Sequence, residues 1–220
     1  MKPIRILVEG VTKTYRRANR DIVALSGVSL SVTKGEVVLI RGKSGSGKTT
    51  LLNILAGWES PDSGTVTWDD EFGAGGAATR TWQEVSVIPQ ALGLLAELPI
   101  DENVSLPLRL GLAGDRPPGF VDELMADLDI RHLVGRSIGE ASLGEQQRAA
   151  VARALVTRPI LVLADEPTAH QDRARLDMVW SLLRGAATRG ASILVASHNP
   201  EAADYADRIL DLIGGRLQPA

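Results

Sequence analysis

A chain of 220 residues, 44% hydrophobic and 23% charged, has the length for one substantial core and the composition of an ordinary globular protein, so a second independent domain is not expected. Its formal charge of -3 offers no broad cationic field to a phosphate backbone, which argues against nucleic acid as the main partner. Cysteine is absent, excluding disulfides and thiolate metal sites, and no apolar run nears the roughly 20 residues of a membrane span; the start "MKPIRILVEG" lacks the apolar region of a signal peptide, so a cytosolic chain is expected.

Short β-rich runs come first: "IRILVEGV", "VALSGVSLSV" and "GEVVLIRG", the last ending in a glycine-rich turn. Between the first two, Arg16, Arg17 and Arg20 form the densest basic cluster and read as a solvated loop. "GKTTLLNILAGW" follows with Leu51, Leu52, Ile54 and Leu55 at helical spacing, then a turn "PDSG" and a strand "TVTW". The small, featureless "FGAGGAAT" reads as a flexible connection. A strand "EVSVIPQ" precedes a mainly helical stretch from about Asp101 to Thr157, broken by "GDRPPG". The last third alternates: strand "ILVLADEP", a helix from Asp172 to about Ala187, strand "SILVASH", helix "PEAADYA", strand "RILDLI" and turn "GGR". Such alternation predicts an α/β fold with a parallel sheet covered by helices on both faces.

Gly42, Lys43, Ser44, Gly45, Ser46, Gly47, Lys48 and Thr49 fit the phosphate-binding pattern G-x-x-x-x-G-K-[ST], between a predicted strand and a predicted helix. Glycines let successive amides turn inward around phosphate oxygens, Lys48 adds a mobile charge near the terminal phosphates, and the Thr49 hydroxyl can hold magnesium. Such a site needs a carboxylate on a second strand. "ILVLADEP" supplies one, four apolar residues marking a buried strand that delivers Asp165 and Glu166 to its carboxyl end, where ligands bind in open α/β sheets. Asp165 would orient the magnesium shell and Glu166 could polarise an attacking water. His198 closes a third strand, where a donor to the γ-phosphate would sit, whereas His132 and His170 are read as surface or packing residues. Gln90 closes "EVSVIPQ", from which an amide could reach magnesium or the water.

"ASLGEQQRAAVARAL" has two readings. Ser142 with Glu145 makes a capping box, and a helix start with free amides is also an anion site.

Taken in this order, the pieces resemble the ATP-binding subunits of ABC transporters over nearly the whole chain. The resemblance implies one ATP-binding domain over residues 1–220, a P-loop NTPase (RecA-like) core with an antiparallel β-subdomain and an α-helical subdomain, the latter largely residues 91–157. It implies ATP and Mg2+ as ligands: Tyr15 in "VTKTY" stacks on adenine, Gly42 to Thr49 with the following Thr50 form Walker A, Gln90 is the Q-loop, Asp165 Walker B, Glu166 the catalytic base and His198 the switch histidine. Ser142 and the amide of Gly144 stand at the signature, and by resemblance face the γ-phosphate of an ATP held by a second subunit, identical or a cousin, in a head-to-tail dimer. The capping box and the anion site are then one device. The implied partner is an integral membrane, permease-type subunit docked near Gln90 and Leu92 to Pro107, with the ATPase on the inner face of the cell membrane. "TLLNILAGWESPDSGTV", "LGEQQRAAVARALVTRPILVLADEPTA" and "YADRIL" look like the group serving lipoprotein release, macrolide and peptide efflux, and cell division. A regulatory ATPase that signals through a membrane partner without moving a solute would use the same nucleotide machinery.

Two positions depart from the family pattern. Leu143 stands where a glycine is usual, which predicts a strained or displaced signature loop, and Gln171 stands where an apolar residue is usual, in a segment expected to meet the opposite subunit.

Overall fold

A computed structural model describes residues 3–17, 20–69, 72, 81–112, 116–169 and 171–219. In chain order these form β1 (Ile4–Arg17), β2 (Arg20–Thr33), β3 (Val37–Arg41), α1 (Lys48–Leu55), β4 (Ser63–Trp68) and β5 (Val85–Ile88). Three helices follow, α2 (Ile100–Arg109), α3 (Phe120–Asp127) and α4 (Leu143–Leu155). The chain then alternates through β6 (Leu161–Asp165), α5 (Arg173–Thr188), β7 (Ser192–Ser197), β8 (Arg208–Ile213) and β9 (Arg216–Pro219). β2, β1 and β4 make an antiparallel sheet, while the second sheet runs β5-β6-β7-β3-β8-β9, parallel throughout except for β9 against β8.

Because strand side chains alternate between faces, each buried strand of the second sheet feeds two cores. Val37 and Leu39 of β3, Val162 and Ala164 of β6, and Ile193 and Val195 of β7 join the helices α2 to α5 on one face. Their neighbours Val38, Ile40, Leu161, Leu163, Leu194 and Ala196 pack on the other face with α1 and the antiparallel sheet, including Ile6, Val8, Leu25 and Val28. This double burial explains the near-continuous apolar runs of β3, β6 and β7.

Strand register sets the carboxyl ends level. Arg41 lies opposite Ser197 across the β3–β7 pair, and Asp165 opposite Ala196 across the β6–β7 pair. The residues that follow these strands therefore emerge along one rim.

Several expectations change. The basic cluster expected as a solvated loop closes the β1–β2 hairpin instead, with strand extending to Arg17 and resuming at Arg20, their Cα atoms paired. Strand pairing satisfies the backbone there, and Arg16 and Arg20 are exposed on it. Pro200–Tyr205 winds as a 3₁₀ helix, capped by Asn199 accepting from the Glu201 amide, and only Ala202 of it is buried. Too little apolar face is available to propagate an α-helix. β9 was not anticipated; Gly214 and Gly215, at φ 54° and 77°, make the tight turn that folds it back on β8. Of the connection read as unpacked, Phe72 is fully buried beside Trp68, ring centroids 4.9 Å apart, and residues 73–80 lie outside the described residues.

Candidate nucleotide site

Between β3 and α1, Gly45 and Gly47 adopt φ of 78° and 106°, conformations that side chains disfavour, and Cβ atoms at Gly42 and Gly47 would approach the Leu212 and Ala24 carbonyl oxygens to 2.5 and 2.3 Å. The glycine spacing thus answers two demands, backbone turning and close packing. α1 begins at Lys48 with Gly47 as its N-cap and no side-chain cap, so its first amides are left for a ligand. Lys48, only 8% exposed, donates to the carbonyls of Gly42 (2.7 Å) and Lys43 (3.3 Å), laying its ammonium across the loop.

A cavity of about 950 Å3 opens over this loop. It is lined by Lys43, Ser44, Gly45, Gly47, Lys48, Thr49 and Thr50, by Gln90, Asp165, Glu166 and His198, and by Tyr15 from the antiparallel sheet. Sequence positions spanning residues 15 to 198 thereby converge. Gly42 and Ser46 line a second cavity of about 690 Å3, which shares Lys43, Ser44, Gly45 and His198 with the first. Gln90, exposed just beyond β5, reaches the rim of the larger cavity.

Thr49 Oγ1 donates to Asp165 Oδ2 at 2.5 Å. Burial pushes the Asp165 carboxyl above its ordinary range, and the Glu166 charge adds to this, against the pull of the Thr49 hydroxyl and the Lys48 ammonium. A desolvated carboxylate beside a hydroxyl is a hard oxygen pair suited to Mg2+, which takes one or two carboxylates and completes its shell with water and phosphate oxygens. Among the described residues no group of three or more His, Cys, Asp or Glu is placed to hold a metal ion.

Glu166 has φ 52°, a left-handed conformation that a non-glycine residue rarely adopts. Its amide donates to the Ala196 carbonyl (2.8 Å), and its own carbonyl accepts from Gln147 Nε2 (2.5 Å). The carboxylate accepts from Ser197 Oγ (2.8 Å) and the His198 amide (2.9 Å), with His198 Nδ1 2.6 Å away. The turn is therefore over-determined by the end of β7, which is how a strained residue persists. Ser197 and Gln147, both buried, escaped the sequence reading; the signal for Ser197 is a polar residue ending the apolar run Ile193–Ala196 next to His198.

Tyr15 donates its hydroxyl to Glu59 Oε2 at 2.6 Å. Glu59 likewise went unnoticed in the sequence, where it looks like an ordinary turn residue.

At the start of α4 the capping box is present: the Ser142 amide and hydroxyl donate to Glu145 Oε2 at 2.7 and 2.6 Å, and the Glu145 amide returns to Ser142 Oγ at 3.3 Å. Ser142 hydrogen bonding holds the Glu145 carboxyl below its ordinary range, and His132, an exposed residue, sits with Nε2 2.9 Å from Glu145 Oε1. Ser142 and Gly144 are not among the described residues lining the cavity over the phosphate loop. Leu143 is the first residue of the helix, 50% exposed and without positive φ, so the expected strain is not found. Helical geometry accommodates a Cβ at that position. Gln171, expected to face another subunit, bonds inward to Gly144 and Arg148 of its own chain. His170 lies outside the described residues.

Residues 25–169 match the ABC transporter family. The lipoprotein-releasing system ATP-binding protein LolD of Bordetella pertussis is 40% identical over 96% of this chain and 94% of its own, and its counterpart from Chromohalobacter salexigens 36% identical over 97% and 93%. Among solved structures, the ATP-binding cassette MJ0796 in a dimeric post-hydrolysis state with ADP and phosphate superposes with a TM-score of 0.85 at 30% identity, covering 97% of this chain and 96% of that one. Motif order, sheet topology and these relatives agree: the chain belongs to the ATP-binding subunits of ABC transporters, as an ATPase of the lipoprotein-release group.

Proposed function

We propose that two ATPase subunits close around two Mg-ATP and, on hydrolysis, separate, transmitting that motion to an integral membrane partner at the inner face of the cell membrane. In each site Gly42 to Thr50 hold the phosphates, Thr49, Asp165 and Gln90 hold magnesium, and Tyr15 supports the adenine. Magnesium, when bound, offsets phosphate charge. Glu166 accepts the proton of the attacking water, Lys48 stabilises charge on the terminal phosphate, and His198 contacts the γ-phosphate. Ser142 and the Gly144 amide act on the nucleotide of the other subunit. The membrane chain docks near Gln90 and Leu92 to Pro107.

One observation carries this reading. Ser142 and Gly144, at the start of α4, do not line the cavity that Lys48, Asp165 and Glu166 share, which supports a reading in which they serve the nucleotide of another subunit. The dimeric state in which MJ0796 was solved supports the same arrangement, and no helix of the described residues is long and apolar enough to cross a membrane, in keeping with a membrane partner supplying that part.

The test uses Glu166→Gln with MgATP. Light scattering should show a dimer that does not turn over, and adding Ser142→Arg should return it to monomer. A Glu166→Gln protein that stays monomeric at saturating MgATP, or that hydrolyses at the wild-type rate, overturns the proposal.

A further inference from the structure

The Tyr15 ring is held from several directions, more than a surface aromatic requires. Its hydroxyl lies 2.6 Å from Glu59 Oε2 and 3.3 Å from Thr50 Oγ1 of α1. Glu59 follows the carboxyl end of the same helix and is anchored in turn, with Lys13 Nζ 3.4 Å from its Oε1. That ammonium also lies 3.4 Å from Asp62 Oδ1 and donates to the Ser60 carbonyl at 2.7 Å. It sits 5.7 Å from the centroid of the Tyr15 ring, close enough for the ring's quadrupole to attract it.

Ile22, paired with Tyr15 across the β1–β2 ladder, and Val23 are 47% and 56% exposed and line the same cavity. Tyr15 and Ile22, directly opposite each other and so on one face of the hairpin, form a half-open apolar platform on the antiparallel sheet. A flat heteroaromatic ring gains from such a platform only if the aromatic beneath it keeps one tilt, because offset stacking depends on ring orientation. Phosphate geometry is set separately, by α1 and its loop. Some contact must hold the platform at a constant distance from α1, and the phenol contacts to Glu59 and Thr50 directly join the two.

We infer that Glu59 is a positioning residue for the nucleotide base, fixing the tilt of Tyr15 and its distance from the phosphate loop through the phenol hydroxyl, with Lys13 covering one face of the ring so that the base stacks on the other. This rests on the proposed placement of adenine over Tyr15. Glu59 touches no reacting atom, so its effect belongs in affinity for base-bearing ligands and in KM, with kcat preserved. A charge-assisted hydrogen bond is among the stronger polar contacts, and its loss would release the ring to other rotamers.

The experiment is calorimetric titration of the whole chain, in magnesium, with ADP and with inorganic tripolyphosphate, which carries no base. Glu59→Ala should weaken ADP about tenfold, equivalent to one charge-assisted hydrogen bond, and leave tripolyphosphate unchanged. Tyr15→Phe, which removes only the hydroxyl, should reproduce that loss, and Glu59→Ala added to it should cost nothing further. Glu59→Gln, which keeps an acceptor oxygen, should recover most of the affinity. Equal weakening of both ligands would mean a purely architectural contact and overturn the inference. Unchanged ADP affinity in Glu59→Ala, with a loss in Tyr15→Ala, would overturn it and leave stacking intact, whereas Tyr15→Ala without effect would remove the stacking itself.

Discussion

Gln171 donates from Nε2 to the Gly144 carbonyl at 2.8 Å, and its Oε1 accepts from Arg148 Nη1, also at 2.8 Å. The segment that follows Glu166 is thereby stitched to the first turn of α4. Arg148 is the reason the side chain turns inward: it is 6% exposed, burial pulls its guanidinium below the ordinary arginine value, and it takes acceptors from the Leu128 carbonyl and from Gln171. A buried guanidinium that loses an acceptor retains its desolvation cost without the compensating bond. Gln171→Leu should therefore destabilise the fold by about 1–3 kcal/mol, a fall in Tm of about 3–10 °C. Gln171→Glu restores an acceptor and should recover part of it. A thermal scan in which Gln171→Leu melts with the wild type would show that the contact contributes nothing.

Lys48 presents the opposite case. Its ammonium is nearly buried on two neutral carbonyls, Gly42 and Lys43, an arrangement that serves a negatively charged ligand better than it serves the fold. Lys48→Ala should cut ATP turnover by about 100-fold or more, since catalysis of phosphoryl transfer is mostly charge stabilisation and positioning. The ligand-free Tm should hold or rise. A variant that loses activity only because it unfolds near room temperature would refute this division of labour.

The candidate nucleotide residues were legible in the sequence to the degree that their chemistry is local. Gly42 to Thr49 are contiguous, and Asp165, Glu166 and His198 each follow an apolar run that identifies its own strand end. Parallel register then brings them to one rim, a step that alternation alone predicts. Contacts between distant segments were not legible. Glu59 reaches Tyr15 across 44 positions and Ser197 reaches Glu166 across 31, and no period links either pair. The strain expected at Leu143 was misjudged for a related reason: glycine in a motif signals freedom or space, and only the backbone distinguishes them. Here it is helical, and the space lies outside the chain. β9 was missed because four residues after a double glycine carry too short a pattern to distinguish strand from turn.

Asp165 connects the site to pH. Burial raises its carboxyl in the folded chain above the ordinary aspartate range, so its ionisation costs stability once pH passes the unfolded value, and the cost is full above the folded value. At pH 7 the native chain carries that penalty, and the charge it keeps is the one proposed to hold magnesium. Asp165→Asn keeps an oxygen to accept from Thr49 and removes the charge, so it should raise Tm at pH 7 by about 2–4 °C for each kcal/mol relieved. The gain should shrink as pH falls toward the unfolded value, where the wild-type carboxyl is neutral too. Paired scans at pH 7 and pH 4 without nucleotide check the sign; a gain that grows on acidification would contradict the assignment of burial as the dominant cause. ATPase activity should be lost at either pH.

Leu143 exposes half its surface beside Ser142, at the start of α4, where the second subunit's nucleotide is proposed to approach. Its backbone is unstrained, so under the proposed dimer any effect of the isobutyl group on that approach comes from the space it occupies and not from a distorted loop. Replacing it with glycine removes four carbons from the approach path and costs the helix about 1 kcal/mol or less at its first position. Leu143→Gly should consequently raise steady-state hydrolysis severalfold and tighten the MgATP dimer of the Glu166→Gln protein, while lowering Tm slightly. Leu143→Ala, which also shortens the side chain but keeps helix propensity, should fall between the two. If hydrolysis is unchanged or slower in both variants while their Tm values stay near wild type, the leucine does not obstruct the signature, and a packing role against the second subunit replaces the steric one.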